Sequence, residues 1–309
     1  MPKYLVTGGA GFIGSHVVAA LIERGDTVRI IDNLSTGKKE NLHPKAEFIK
    51  ADIRQLEEIK PLFTGFDGVF HLAALPRVQV SIVNPTETND INITGTLNVL
   101  LAARDAGVKR LVYSASSSAY GDPVSLPLQE EMKPNPKSPY GLQKYVGEEY
   151  AKLANLFWNI ETVSLRYFNV YGPRMASEGA YVTVIAIFNR QKMNHEPLTI
   201  TGDGTQTRDF TFIGDIVRAN ILAMTSEKVG HGEVINIGNG DNHSVNEVAE
   251  IVGGETTHIP ARVEPHDTLA DNSKARELLD WQPKTSFAEG MKKTIAWYQE
   301  HAHESNNRE

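Results

Sequence analysis

Thr7-Gly8-Gly9-Ala10-Gly11-Phe12-Ile13-Gly14 lies between an apolar run, Tyr4-Leu5-Val6, and an amphipathic stretch over residues 12–24 that Gly25 ends. The run reads as a strand and the stretch as a helix, so the octet is a strand-to-helix turn. Its glycines read as Gly8-x-x-Gly11-x-x-Gly14 or as Gly9-x-Gly11-x-x-Gly14. Either spacing permits a tight turn and lets backbone N–H groups reach a pyrophosphate at the positive helix N-terminus. A second strand, Thr27-Val28-Arg29-Ile30-Ile31, closes on Asp32, eighteen residues past Gly14. A carboxylate there accepts hydrogen bonds from the adenosine ribose hydroxyls and repels a 2′-phosphate, which points to NAD rather than NADP. The alternative is a turn that only packs helix on strand, and four features in register argue against it. Phe12 and Ile13 at the helix start and Asn33 after the acid join the same cofactor-side set. Asp52 and Ile53, after a third strand at 47–50, either touch the adenine or cap the helix that begins at Gln55.

Working outward, further strands are expected at 68–71, 110–113 and 162–165, with helices at 55–63, 87–106 and 138–157. Alternation of this kind predicts a doubly wound parallel α/β sheet of the Rossmann type, with helices on both faces. Past Arg166 the rhythm breaks into Gly- and Pro-containing clusters, Tyr171-Gly172-Pro173 and Thr201-Gly202-Asp203-Gly204. A smaller mixed α/β C-terminal substrate domain is therefore expected. The division is 1–166 plus roughly 209–237 for the dinucleotide domain, and 167–208 plus 238–309 for the substrate domain. The length of 309 residues suits two such units.

Forty percent of the chain is hydrophobic, enough for a sizeable core. The net charge of -7 argues against nucleic-acid binding, and no apolar run is long enough to span a bilayer. The first residues run straight into a strand with no charged-then-apolar leader. Absence of cysteine excludes disulfides, a thiolate nucleophile and cysteine-based metal binding, and no metal site is expected. These features together fit a cytoplasmic enzyme.

Tyr140 and Lys144, in Ser138-Pro139-Tyr140-Gly141-Leu142-Gln143-Lys144, share one face of a helix. A nearby ammonium lowers a phenol's pKa and makes it a usable base. The pair gains weight from Ser114-Ala115-Ser116-Ser117-Ser118-Ala119-Tyr120-Gly121, which follows a strand end, where open α/β sheets place their sites. A serine there can hydrogen-bond both a substrate oxygen and Tyr140; a polar turn is the plain alternative.

Together, the glycine turn, the serine cluster ending in Tyr-Gly, and Tyr-x-x-x-Lys resemble the extended short-chain dehydrogenase/reductase superfamily. Within it the chain most resembles nucleotide-sugar 4-epimerases of the UDP-glucose / UDP-N-acetylglucosamine type, over nearly its whole length. The resemblance implies Tyr140 as general base, Lys144 as its partner and the nicotinamide-ribose ligand, and Ser116 as the catalytic hydroxyl with Ser117 adjacent. It places Leu72, Ala73 and Ala74 along the NAD site and Asn92 in support of it. In Leu165-Arg166-Tyr167-Phe168-Asn169-Val170-Tyr171-Gly172-Pro173 it sets Tyr167 and Phe168 against the nicotinamide and Asn169 on the diphosphate. Arg208 and Arg262 are the implied phosphate-side arginines, and Val182 and Thr183 lie on the substrate side. Taken singly, Arg208 beside Asp209 is equally an ion pair and Asn169 a capping residue.

The implied reaction is inversion at C4 of a UDP-hexose through a transient 4-keto sugar, with NAD regenerated each cycle. Ser117, Ser118 and Ala119 offer no carboxylate for a 4,6-dehydratase, and the chain lacks the cysteine of 3,5-epimerase/reductases. The resemblance also implies a gate near the sugar C2 substituent at Thr268, small enough to admit an N-acetyl group. A UDP-glucuronate 4-epimerase, with Arg77 facing the carboxylate, is the runner-up. A non-enzymatic NAD-sensing relative would have lost Tyr140, Lys144 or the serine. Relatives also pair the helices at 87–106 and 138–157 into a four-helix homodimer interface. Leu97, Val99 and Leu100 serve that interface or the chain's own core.

Overall fold

The computed structural model describes residues 1–76, 78–122, 125–175, 183–261 and 266–301. Five short apolar runs form β1 (Lys3–Thr7), β2 (Thr27–Asp32), β4 (Gly68–His71), β5 (Arg110–Ser116) and β6 (Glu161–Tyr167). Most of their residues are buried, as expected for parallel strands covered on both faces. With β3 (Glu47–Lys50) and the strand His231–Ile237 they make a seven-stranded parallel sheet. Its order is His231–Ile237, β6, β5, β4, β1, β2, β3. The order reverses between β1 and β4, so a crevice opens past their carboxyl ends.

One face of the sheet is covered by the helices Phe12–Glu23 and Ile213–Thr225, through Val17, Val18, Leu21, Ile216 and Ala219. The other is covered by the helices Gly95–Asp105 and Pro139–Trp158, through Val99, Leu100 and Ala154. Ser138 starts the latter helix by accepting the Gly141 N–H at 3.1 Å, with Pro139 preset at its first position. Asn159, in the left-handed conformation, stops it.

After Tyr167 the chain leaves the sheet, returning to it with the helix Ile213–Thr225 and the strand His231–Ile237. The smaller lobe is built on the helices Val184–Met193, Val245–Val252 and Phe287–Glu300 and on short ladders such as Leu198–Thr201 with Thr256–Ile259. Its core centres on Tyr171, Phe210 and Phe287, with ring centroids 5.4–6.2 Å apart.

Several elements differ from the sequence reading. The expected helix at 55–63 is a short α-helix, Leu56–Ile59, followed by a 3-10 turn, Lys60–Phe63. The expected single helix at 87–106 is three pieces, with a π-helical turn at Asp90–Thr94 between Pro85–Asn89 and Gly95–Asp105. A helix at Val78–Val83 and the strand His231–Ile237 were outside the sequence reading.

Candidate functional site

The glycine turn sits at the reversal of strand order. Gly8 holds a φ of 74°, and a Cβ there would meet the Ala73 amide nitrogen at 2.7 Å, so β1 and the segment after β4 touch backbone to backbone. A Cβ on Gly14 would press into the Gly8 carbonyl. The Phe12–Glu23 helix begins at Gly11 with no side-chain cap and no acid in its first turn. Its first N–H groups are therefore left for a ligand, and the helix dipole favours an anion there. The cradle thus fits the diphosphate of a dinucleotide.

Asp32 is buried, and each of its oxygens already holds a backbone N–H, from Ala10 at 3.0 Å and Leu34 at 2.8 Å. It braces the glycine turn, and burial pushes its pKa up. Asn33 donates to Asp52 at 3.0 Å. Asp52 also takes the Arg54 guanidinium at 2.6 Å, which holds its pKa down at about 2. Its side chain therefore does not cap the following helix, whose N-cap Gln55 has no side-chain cap bond. Ile53 is core, packed where Gly95 leaves room. Phe12 and Ile13 pack against the sheet-side core.

A buried chain of hydrogen bonds ties β1 and β4 to the π-helical turn. The Ala73 N–H donates to Thr7 Oγ1 at 3.3 Å, and Thr7 Oγ1 lies 2.7 Å from His71 Nδ1. His71 Nε2 meets Thr96 Oγ1 at 3.0 Å, and Thr96 donates to the Asn92 carbonyl at 2.7 Å. Thr96 spends its proton on that carbonyl, so His71 Nε2 carries the ring proton, and in the neutral ring Nδ1 accepts the Thr7 hydroxyl. Burial lowers its pKa to about 3. Asn92 holds the Leu75 N–H at 2.8 Å and donates to Gln143 at 2.9 Å, which links residues 72–75 to the Pro139–Trp158 helix.

Tyr140, Gln143 and Lys144 face the sheet from that helix. Ser116 ends β5 opposite Tyr167, with its hydroxyl on the side of Tyr140, where it works against the rise of the phenol's pKa. Ser116 Oγ accepts from Ser118 N–H at 3.2 Å and Ser118 Oγ at 2.8 Å, so its own proton is directed to other oxygens. Ser117 opens the 3-10 turn beside it. Lys144 is 3% exposed, with Nζ 4.8 Å from the Tyr113 ring centroid. Burial lowers its pKa to about 7. The expected lowering of Tyr140 by its lysine is not found: burial pushes Tyr140 up to about 12, against only the Ser116 hydroxyl. Desolvation penalises both charged forms and is the largest influence on each. Tyr167 is buried, its hydroxyl donating to Asn220 at 2.8 Å.

On the lobe side, a cavity of about 230 Å³ is lined by Asn169, Thr183, Arg208, Gln206 and Phe210 among others. Asn169 donates to the Asp209 carbonyl at 3.3 Å and to Thr268 Oγ1 at 3.4 Å. Arg208 donates to the carbonyls of Thr207 and His266 at 2.9 and 2.8 Å. Asp209 turns inward, accepting the N–H groups of Asn239, Gly240 and Ala270. Val182, Arg262 and Arg77 lie outside the described residues.

A family model for NAD dependent epimerases/dehydratases matches residues 4–238. The chain belongs to this family. It is 40% identical to a UDP-glucose 4-epimerase from Thermotoga maritima solved with UDP-glucose, with a TM-score of 0.92 over 96% of this chain and 99% of that one. A UDP-N-acetylglucosamine 4-epimerase from Methanobrevibacter ruminantium, solved with UDP-N-acetylmuramic acid, is 35% identical with a TM-score of 0.92, covering 97% and 99%. A UDP-glucuronic acid 4-epimerase from Bacillus cereus, with UDP-glucuronic acid and NAD, is also 35% identical, with a TM-score of 0.88 over 96% and 99%. Among the described residues no helix is long and apolar enough to cross a membrane.

Sequence reasoning missed Ser81, Gln143, Gln206 and the buried Glu148–Arg166 pair. Ser81 Oγ accepts the Tyr140 N–H at 3.0 Å, from a helix only tertiary contacts place there. Glu148 had a sequence signal, one turn beyond Lys144 on the same face.

Proposed function

We propose that this family member is a UDP-hexose 4-epimerase working on UDP-glucose/UDP-galactose and on the N-acetylated pair. The observation that carries the reading is the meeting of Ser116, Tyr140 and Lys144 at the carboxyl end of the sheet, beside the uncapped glycine turn. NAD, when bound, supplies the acceptor and donor of a hydride at the sugar's C4. Gly8, Gly11, Phe12, Ile13 and Gly14 would hold its diphosphate. Asp32 and Asn33 would hold the adenosine side, with Asp52 and Ile53 near the adenine. Leu72, Ala73, Ala74, Asn92 and Tyr167 would line its nicotinamide half.

Tyr140 takes the proton of the 4-hydroxyl as the 4-keto sugar forms, and returns it to the same oxygen once the ring has turned and hydrogen is added to the other face of C4. Ser116 relays that proton, giving its own hydroxyl proton to one of the two oxygens as it takes one from the other. Lys144 offers a positive charge that favours the phenolate. Asn169, Arg208 and Arg262 hold the diphosphate, while Val182 and Thr183 contact the nucleotide side. Thr268 borders the C2 substituent. We assign the dinucleotide domain to 1–166 plus roughly 209–237 and the substrate domain to the remainder, in cytoplasm.

We also propose a homodimer. Leu142, Leu153, Leu156 and Phe157 are exposed and share one stripe of the Pro139–Trp158 helix, Phe157 at 72%. Val99 and Leu100 are fully buried within the chain itself. A Leu156→Glu/Phe157→Lys variant is expected to run as a monomer in light scattering.

The activity test uses purified protein without added cofactor, incubated with UDP-galactose and UDP-N-acetylgalactosamine, with proton NMR of the anomeric region. Conversion of both sustains the reading. Conversion of the first alone removes the Thr268 gate. Conversion of neither, with NAD supplied, sinks it and makes UDP-glucuronate the next substrate.

A further inference from the structure

We propose that Glu148 is a positioning residue for this reaction: its carboxylate, locked by Arg166, is the buried counter-charge that keeps Lys144 an ammonium ion. The proposal rests on the Tyr140–Lys144 chemistry above. Lys144 and Glu148 lie one turn apart on the inward face of the Pro139–Trp158 helix, and Glu148 is 0% exposed. Arg166 of β6, itself buried, donates Nε and Nη2 to the two Glu148 oxygens at 2.9 and 2.7 Å. Its guanidinium lies 4.6 Å from the Tyr120 ring centroid, and its Nη1 is buried with no partner.

Such a pair is a poor way to gain stability, because desolvation offsets the attraction and an apolar pair of equal volume serves as well. Its place beneath the candidate base and lysine supplies a reason. Lys144 is faced by Tyr140 and Glu148 from its own helix, by Tyr113 from β5 and by His71 from β4, with Arg166 of β6 behind Glu148. The phenols are neutral near pH 7 and so is His71, whose ring nitrogens are both on threonines. Glu148 supplies the negative charge. Burial lowers Lys144 and Glu148 opposes it, while Arg166 opposes the burial that raises Glu148.

Glu148→Gln alone strands a buried guanidinium, so the informative variant is Glu148→Gln/Arg166→Met, which removes both charges. The protein is labelled with lysine carrying 13C at Cε, and the Lys144 signal is assigned by its absence in Lys144→Met. In the parent it is expected to titrate near pH 7. In the double variant the midpoint is expected about one pH unit lower. The alkaline limb of the kcat profile on UDP-galactose should move down with it, at unchanged KM. An unmoved lysine in a folded double variant overturns the proposal and leaves the pair a structural brace. If that variant does not fold, Glu148→Met/Arg166→Met, an apolar pair that also removes both charges, takes its place. Lys144 must then titrate lower, and an unmoved midpoint again overturns the proposal. The titration is read without substrate. A chain inactive on UDP-sugars but with a shifted lysine breaks only the activity reading.

Discussion

In the sheet half the site residues stand on shared register lines: Thr7 opposite His71, His71 opposite Tyr113, Ser116 opposite Tyr167. In the smaller lobe Asn169, Arg208 and Thr268 are held by loop hydrogen bonds of 2.8–3.4 Å next to two-residue ladders. The first arrangement follows from parallel pairing, where one strand's placement fixes every residue at its end. The second depends on separate contacts that can change one at a time. We therefore expect changes in the sheet half to remove function outright, and changes in the lobe to tune affinity and choice of sugar.

The largest effect is expected from Tyr140→Phe. Turnover should fall about 10²–10⁴-fold, the usual share of a general base. The melting temperature and retained NAD should be close to the parent's. Residual activity within tenfold would take Tyr140 out of the base role. Gly14→Ala comes next: its methyl group meets the Gly8 carbonyl, and overpacking of this kind costs about 1–3 kcal/mol. Purified variant should carry little NAD by its 260/280 nm absorbance ratio and melt earlier; a fully loaded variant would show that the turn has room to spare.

Arg208→Ala tests the lobe. KM for UDP-galactose should rise about 10–100-fold, the worth of a charged hydrogen bond or two, with the sheet half intact. A lost fold instead of a raised KM would mean that the lobe, too, is all-or-none. His71 gives a pH test of the sheet half. Its pKa is lowered from 6.5 to about 3, so between those values the unfolded chain binds a proton that the folded chain does not. Stability contributed by the neutral ring is thus complete above pH 6.5 and lost as pH falls, by up to about 1.4 kcal/mol per pH unit. Denaturant midpoints at pH 7 and 5, with and without His71→Gln, should show this slope shrink in the variant. The smallest effect is expected of Thr268→Tyr, about tenfold selectivity against UDP-N-acetylgalactosamine relative to UDP-galactose. Equal losses on both sugars would place Thr268 away from the C2 substituent.

Much of the sheet half was legible because its signals are local. The expected strands at 47–50 and 68–71 coincide with β3 and β4, and Phe12 begins the first helix as read. The π-helical turn was not legible, since residues 87–106 keep an unbroken helical pattern and only the clamp of Asn92 on Leu75 and Gln143 marks the break. Nor was His231–Ile237, a short glycine-containing run whose partner, β6, is far away in sequence. Tyr140 shows the same limit in electrostatics. Its spacing from Lys144 is readable, but the desolvation that raises it depends on what surrounds it.

The order of residues alone dictated the strand–turn–helix start, the glycines at 8, 11 and 14, and the shared face of Tyr140 and Lys144. These follow from backbone sterics and the helical repeat, which act over a few residues. Tertiary structure alone decided that Asp32 braces the turn and that Ser81 holds the Tyr140 amide. It likewise set Arg166 against Glu148 beneath Lys144. Those are outcomes of burial and of contacts between distant segments, which come into being only when the sheet closes its register and expels water.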